Sequence, residues 1–459
     1  MKIFNTYSRS LEDFKPLNKG RIRMFVCGPT VYDFIHVGNA RTFIIFDSFS
    51  KYLSELGYEV FYLQNITDVD DKIINRAKDL GIKPEDLSDR FYREFRKDMK
   101  SLRIDSVSLY AKATLYIKEI IDQIKALYEK GFAYESDDGI YFSVRKFQDY
   151  GKLSGQDMKQ IRHGVRIETR DSKREPEDFV LWKKYKEGEP FWDSPWGPGR
   201  PGWHIEDTAI TYTFFGEEYD IHGGAIDLIF PHHEAEIAQM RSITGKNFLS
   251  RYWVHSGLLR MGEEKMSKSL GNFVKVREAL SVYSAEQIRY FLLNSKYSSD
   301  LLYSDDLMVS SNEALSRIQN AFTNLLNITS AKGNFTISSE NEIEEFKKLL
   351  DNNFDTRSVF ARLQEMVTEI NRNANNISKD AARDILEIFY FIDRIFGIIK
   401  IDGPAFQAPN LIEAVIRLRE DFRNERDFNH SDRIRMILEQ SGIKVEDSGS
   451  GVKWRIEKK

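Results

Sequence analysis

One cysteine in 459 residues, Cys27, leaves no internal disulfide to form, which agrees with a reducing compartment. No apolar run approaches the roughly 20 residues that span a bilayer. The N-terminus, "MKIFNTYSRSLEDFK", lacks the basic start and apolar stretch of a secretory leader. A cytoplasmic chain with no membrane partner is expected. Charge of one sign is not in excess either: the net charge is −4 at pH 7. The surface as a whole is therefore no polyanion trap, and a nucleic acid would have to be held by local basic patches. Internal repeats and low-complexity tracts are also missing. What remains, 41% hydrophobic and 30% charged residues, describes an ordinary globular chain too long for one core, with roughly two to four domains.

The hydrophobic pattern organises this length. Residues 21–27, "RIRMFVC", alternate with Ile22, Met24 and Val26 on one side, which predicts a strand ending at Cys27. After the Gly28-Pro29 breaker, "NARTFIIFDSFSKYL" places Phe43, Phe46, Phe49 and Leu53 at helical spacing, and a second strand is expected in "YEVFYLQN". A strand, helix and strand within one crossover length form a βαβ unit, and hence a parallel sheet that gathers ligands beyond the carboxyl ends of its strands. Cys27 and His36 would both sit at that edge. Residues 84–133 read as helices, including the basic stretch "RFYREFRKDMKSLR", whose plain reading is a solvated amphipathic face. From about 134 to 200 the chain is short-stranded and turn-rich, ending in "SPWGPGRPGW", as an insertion rejoining the main sheet would be. Residues 219–240 return to α/β character, the chain turns helical from about 304, and the linker "DGPAFQAPN" precedes a last unit near 410–459.

The residues able to do chemistry are unevenly spread. Four of the eight histidines, His204, His222, His232 and His233, fall in "GWHIEDTAI" and "YDIHGGAIDLIFPHHEAEIAQM". His232 and Glu236 are four apart, so on a helix they share one face, a spacing that suits two metal ligands but by itself more often marks a surface ion pair or a satisfied buried histidine. With a carboxylate from "HIEDTAI" and the Cys27 thiolate, the set Cys/Asp/His/Glu is one that tetrahedral zinc tolerates. "GEEKMSKSLGN", residues 262–272, carries Lys265 and Lys268 three apart in a small flexible loop. It is either a charged surface turn or the pair of mobile cations that a triphosphate needs during group transfer.

"HVGN" at 36–39 followed far downstream by "KMSKS" resembles the paired signatures of the class I aminoacyl-tRNA synthetases. The stretches "FVCGPTVYDFIHVGNAR", "QNITDVDDKII", "DFVLWKKYKEGEPFWDSPWGPGRPGWHIE", "DIHGGAIDLIFPHHEAEIAQ" and "EKMSKSLGNFVKVRE" resemble, in order over residues 3–305, the cysteinyl-tRNA synthetase family within that class. The ending, "RNERDFNHSDRIRMILEQSGIKVEDSGSGVKW", is similar more loosely. The resemblance implies an α/β fold: a Rossmann-like parallel-sheet catalytic domain in two parts, 1–120 and 201–250, split by a connective insertion at 121–200. A lysine-loop and stem-contact region would follow at 251–303, a tRNA-binding helical bundle at 304–402, and an anticodon-binding module at 410–459.

It also implies a ligase that joins L-cysteine to ATP, releases pyrophosphate, and passes cysteine to the terminal adenosine of tRNA(Cys) as a monomer. Catalysis of that kind is mostly positioning and charge stabilisation. By the family's pattern His36 and Asn39, where many members carry a second histidine, would meet the phosphates. Gly28, Thr30 and Gly38 would line the ATP site, Gly38 letting adenine lie on bare backbone. Lys265 and Lys268 would close over the triphosphate, with Mg2+ accompanying ATP. Thr67, Trp203 and His222 would sit near the amino acid, with a helix cap, core packing and a buried imidazole as their structural alternatives. Zinc held by Cys27, Asp207, His232 and Glu236 would bind the substrate sulfur, because pocket shape alone separates cysteine from serine poorly. The family's usual Trp-His-Ile-Glu-Cys reads "WHIED" here, with Asp207 in place of a second thiolate. Either zinc is retained on a harder, oxygen-containing set, which is the favoured reading, or it is lost and Asp207 is a hydrogen-bond acceptor. Asp68, Asp70 and Asp71 of "TDVDDK" read as acids of a helix start rather than as ligands. In the terminal unit, arginines of "RLREDFRNERDF" and "DRIR", and a Trp454 that either stacks on a base or anchors the core, are the RNA-facing candidates. A cysteine–amino-sugar ligase on the same scaffold would lack the long C-terminal part, and a silent tRNA-binding relative would be free to lose "KMSKS".

Overall fold

A computed structural model describes residues 1–156, 172–262, 264–266, 271, 273–401, 409–424, 427–440, 443–448 and 451–456. The chain forms two compact units, Met1–Ile398 and Ile399–Lys459.

In the first unit a short hairpin, β1 (Lys2–Asn5) and β2 (Ser10–Asp13), leads into β3 (Arg21–Val26), α1 (Val37–Glu55), β4 (Glu59–Ile66), α2 (Asp71–Leu80), α3 (Pro84–Ser101) and β5 (Leu109–Lys112). Next come α4 (Ile117–Glu129) and the insertion strands β6 (Ala133–Ser136), β7 (Gly139–Phe142), β8 (Phe179–Lys184) and β9 (Gly199–Pro201). After α5 (Trp203–Phe215), β10 (Tyr219–Ala225), α6 (Glu234–Thr244) and β11 (Ser250–Ser256), the hairpin β12 (Leu259–Met261) and β13 (Glu264–Lys265) carries the first loop lysine. Helices α7 (Val276–Val282) and α8 (Ala285–Leu293), strand β14 (Leu301–Leu302), and four long helices, α9 (Asp305–Leu326), α10 (Ser339–Asp351), α11 (Thr356–Arg372) and α12 (Lys379–Phe396), complete the unit.

The main sheet is wholly parallel, in the order β11-β10-β3-β4-β5. The strand order reverses between β3 and β10, which makes the carboxyl ends of those two strands the crevice where such sheets take ligands. Cys27 follows β3 directly, and its N–H donates to Gly223 of β10 at 3.1 Å. Helices cover both faces, so Met24, Phe25 and Val26 are all buried, and the one-sided alternation expected of this strand is only half the pattern. Two further expectations are corrected. The stretch 84–133 is not helical throughout: Leu109–Lys112 is an edge strand paired with β4. Helix α1 begins at Val37, before Asn39, because His36 caps it.

The insertion strands form an antiparallel sheet, β6-β7-β8-β9. Its Phe142, Leu181 and Trp182 share one core with Ile120 and Ile124 of α4, Ala209 of α5, and Ala235 and Ala238 of α6. Asp71 anchors α2 to this sheet through Lys183 Nζ and Arg200 Nη2, each at 2.5 Å. The bundle is tied to α1 by Arg289 of α8, which is fully buried. It donates to Asp47 Oδ2 at 2.8 Å, Ser48 Oγ at 3.1 Å and the carbonyls of Leu102 and Phe396. In α12 the apolar stripe Ile385, Ile388, Phe389, Ile392, Ile395 and Phe396 is buried, as its helical spacing requires.

The second unit packs α13 (Pro409–Asn424) and α14 (Phe428–Gln440) with an antiparallel hairpin, β15 (Ile443–Ser448) and β16 (Gly451–Ile456), around Ile416, Leu438, Ile443 and Val445. Of its arginines, Arg417, Arg423, Arg433 and Arg435 are exposed and Arg419 is buried. Arg426 and the side chain of Trp454 lie outside the described residues.

Candidate active site

A cavity of about 700 Å³ opens at the sheet's reversal point. Its walls include Cys27, Gly28, Thr30, His36, Gly38, Asn39 and Lys265, seven of the residues singled out in the sequence. Lys268 and Asn272 lie outside the described residues.

The histidine turn is a helix cap. His36 is extended (φ −101°, ψ 165°), its Nδ1 accepts the Asn39 N–H at 3.2 Å, and Asn39 Oδ1 accepts the His36 N–H at 3.3 Å. An imidazole nitrogen that accepts carries no proton, so the neutral ring holds its hydrogen on Nε2. Asn39 spends its oxygen on the cap, leaving its amide NH2 as the donor. Gly38 has a second reason to be glycine: a Cβ there would lie 2.8 Å from His36 Nδ1. Gly28 is tighter still, since a Cβ would meet the Asn65 carbonyl oxygen at 1.8 Å.

The root of the lysine loop is stitched to this turn. Val37 N–H donates to Val274 O at 2.9 Å, and Val276 N–H donates to Ile35 O at 3.1 Å. Arg277 then lies over the Phe34 ring, 3.5 Å from its centroid, and pairs with Glu94 and Asp98 of α3. The other limb is held by an exposed pair, Lys265 Nζ to Asp227 Oδ2 at 3.3 Å.

Behind the cavity floor, Cys27, Asp207, His232 and Glu236 bring one donor atom each within 4.8 Å of one another, all buried. His232 Nε2 lies 3.0 Å from both Asp207 Oδ2 and Glu236 Oε1, and Glu236 Oε1 is buried without an aligned hydrogen bond. An overlapping set, Cys27, His222, His233 and Glu236, is equally close. The first set converges two carboxylates and a thiol on one point and therefore calls more strongly for a cation. Each imidazole is oriented from behind: His232 by His204 (Nδ1 to Nδ1 2.9 Å), His222 by Tyr219 OH (2.6 Å), and His233 by His255 (2.9 Å). Asp207 Oδ1 accepts from Asn65 Nδ2, which directs Oδ2 toward the cluster, while Asn65 Oδ1 accepts from the Gly28 N–H. Such outer partners fix the aim of metal-binding side chains. The electrostatics agree. Burial, then Glu236 and Asp207, push the Cys27 thiol well up. Burial opposes charge on His232, but the same two carboxylates outweigh it and hold the ring up at about 10. Burial pushes Glu236 up to about 7 against the pull of His232. The donors fit a divalent ion, and Asp207 stands among them, at the position where the resemblance implies a thiolate.

The remaining residues divide. Trp203 is half-exposed and stacks on His232 with centroids 4.3 Å apart, so it is not plain core. His222 is fully buried and stacked on Trp253. Thr67 is no helix cap: its hydroxyl donates to Glu206 Oε2 at 3.0 Å, and the cap of α2 is Asp70, which accepts from Lys72 N–H. Asp68 accepts from Thr114, so no acid of "TDVDDK" faces the cluster. Asn65, Tyr219 and Asp227 were not anticipated from sequence, and His204, noted there among the clustered histidines, turns out to orient His232. "QNITD", "YDIH" and "AIDLIF" carry the three without any periodic signal.

A doubly wound parallel sheet with a capped histidine turn and a stitched lysine loop at its reversal point defines the catalytic core of a class I aminoacyl-tRNA synthetase. The family model described as "tRNA synthetases class I (C) catalytic domain" matches residues 13–313. Methionyl-tRNA synthetase of Mycobacterium tuberculosis has a similar fold, with TM-score 0.62 at 15% identity over 82% of this chain and 92% of that one. Within the class, the chain belongs to the cysteine–tRNA ligase family. It is 51% identical over 457 residues to the cysteine–tRNA ligase of Thermoplasma acidophilum, covering 99% of this chain and all of that one, and 42% identical to that of Thermococcus onnurineus over 99% of each.

Proposed function

We propose that the cavity carries out both steps of cysteine–tRNA ligation: L-cysteine attacks the α-phosphate of ATP to give cysteinyl adenylate and pyrophosphate, and the acyl group then moves to the terminal adenosine of tRNA(Cys). The in-line step needs donors aimed at developing phosphate charge. His36 Nε2–H and the Asn39 amide, at the positive end of the α1 dipole, supply them. Lys265 and Lys268 neutralise the leaving pyrophosphate, accompanied by Mg2+. The bare turn Gly28–Thr30 and Gly38 admit the nucleotide. Cys27, Asp207, His232 and Glu236 hold zinc, with Trp203, His222 and Thr67 around the amino acid. When bound there, zinc supplies a Lewis acid that prefers thiolate sulfur to hydroxyl oxygen. Residues 1–120 and 201–250 provide this chemistry, 121–200 the insertion, and 251–303 the loop and stem contacts. Residues 304–402 and 410–459, with exposed Arg417, Arg423, Arg433 and Arg435, engage the tRNA body. The chain acts as a cytoplasmic monomer; among the described residues no helix is long and apolar enough to cross a membrane.

One observation carries the reading: Cys27 of the donor cluster and His36 of the capped turn line the same cavity. The test is metal content together with cysteine-dependent pyrophosphate exchange, on the native chain and on Cys27→Ala. About one zinc per native chain, with metal and cysteine activation lost together in the variant, is the expected result. Exchange that persists in metal-free Cys27→Ala would remove the metal from amino-acid choice.

A further inference from the structure

The cavity has one stretch of lining that the adenylation reading leaves without a role. His36, Gly38, Asn39, Leu259, Lys265 and Met266 line the part given to ATP. Tyr32, Asp33, Lys72 and Arg76 also line the cavity and lie together, through the Arg76–Asp33 pair and the Lys72–Tyr32 contact. Lys72 and Arg76 are one turn apart on α2 and share a face. The same helix buries Ile73 and Ala77 and is fixed to the insertion sheet by Asp71, so the two cations stand on a rigid element. Their charge is barely neutralised. Arg76 meets Asp33 only at 3.9 Å with its side chain 46% exposed, which is worth little in water. Among the described residues no carboxylate lies within ion-pairing distance of Lys72, whose ammonium rests 5.8 Å from the centroid of the half-buried Tyr32 ring. Two cations beside an aromatic ring on one wall are the elements from which single-stranded RNA sites are built: charges that track the backbone and a face on which a base stacks.

We propose that Lys72 and Arg76 receive the phosphates of the tRNA 3′ end when its terminal ribose enters the cavity for the second step, with Tyr32 beside the incoming base. The proposal rests on the reading of this cavity as the adenylation site. The chemistry recognised is a phosphate, which either the RNA or the ATP tail could supply, and the two steps of the reaction separate these sources. Cysteine-dependent pyrophosphate exchange requires no tRNA, whereas aminoacyl transfer requires it. In the full-length chain, Lys72→Ala/Arg76→Ala and Arg76→Glu are expected to lower the ratio of transfer to exchange at least tenfold, chiefly through a higher KM for tRNA. Arg76→Lys recovers most of the ratio. The dependence of log KM for tRNA on log salt becomes shallower by about 1.4 in the double variant, since each single-strand phosphate contact contributes about 0.7. Melting temperatures identify any variant that fails to fold, and the milder Arg76→Gln then carries the test through a salt slope shallower by about 0.7. Exchange that falls as far as transfer would assign the wall to ATP and overturn the proposal. Transfer with unchanged KM and salt slope would make the two cations a solvated face. If exchange were already missing in the native chain, the adenylation reading itself would be at fault.

Discussion

The proposed function gives His36 two jobs, one for each ring nitrogen, and substitution separates them. Nδ1 caps α1 by accepting the Asn39 N–H, while on the proposed reading Nε2–H is the donor that would meet phosphate. Asparagine at position 36 keeps an acceptor where Nδ1 stands and removes the donor; alanine removes both. Loss of a cap costs about 1 kcal/mol. Spread over the first unit, Met1–Ile398, with an unfolding entropy of about 2.1 cal/mol/K per residue, this lowers Tm by only about 1 °C. Loss of a donor aimed at transition-state charge costs about 3–4 kcal/mol, or roughly 10²–10³ in rate. His36→Asn is therefore expected to melt with the native chain while pyrophosphate exchange at saturating ATP drops by about two to three orders of magnitude. His36→Ala should show the same drop with a slightly lower Tm. The reasoning is refuted if His36→Asn exchanges at close to the native rate, or if activity is lost only in proportion to folded protein.

Four further variants follow from the geometry. Asp207→Ala should reduce zinc per chain, measured by elemental analysis, and raise serine activation relative to cysteine; Asn65→Ala, which frees Asp207 to swing, should weaken zinc about 10- to 100-fold in a chelator competition. Arg289→Met removes the fully buried one of the two cations paired with Asp47, leaving Lys51, and should cost about 3 kcal/mol in denaturant unfolding. The acid limb should change too. Burial works against ionisation of Asp47, but Arg289 and Lys51 outweigh it and hold the carboxyl below its usual range. Its contribution is present above the unfolded value and is lost as pH falls through the folded one, so stability measured below about pH 4 should fall less steeply in Arg289→Met than in the native chain. Gly28→Ala places a methyl group against the Asn65 carbonyl and should abolish exchange, read alongside circular dichroism to confirm that the sheet persists.

Local pattern made β3, α1 and β4 legible, because each is long enough for its period to show and lies between clear breakers. Strand β5 was hidden: four residues, "LYAK", between two amphipathic helices carry too little alternation to outweigh their flanks. The start of α1 was misplaced because an imidazole is not among the usual capping side chains. The donor cluster was legible only in part. His232 and Glu236 share a helical face, but Cys27 and Asp207 reach them through tertiary folding, and no spacing announces that. The layer behind was silent for the same reason: Asn65 meets Asp207 across 142 positions of chain. Arg289 left a faint mark, a lone cation in the apolar run "IRYFLL", which is how a buried arginine looks before its partner is known.

That arginine limits how the chain can be divided. Its guanidinium bonds to α1, to the turn after α3 and to the last carbonyl of α12, and Arg103 and Arg394 add ion pairs to Asp393 and Glu55 across the same seam. A fragment ending at 303 would keep every residue of the adenylation cavity yet strip the cover from the inner face of α1, baring Phe49 and Tyr52 and leaving Arg289 without the carbonyl that caps its fork. Synthetase minimisation that trims back to the signature motifs would here yield an insoluble stump, and the shortest self-standing catalyst should extend to the end of α12.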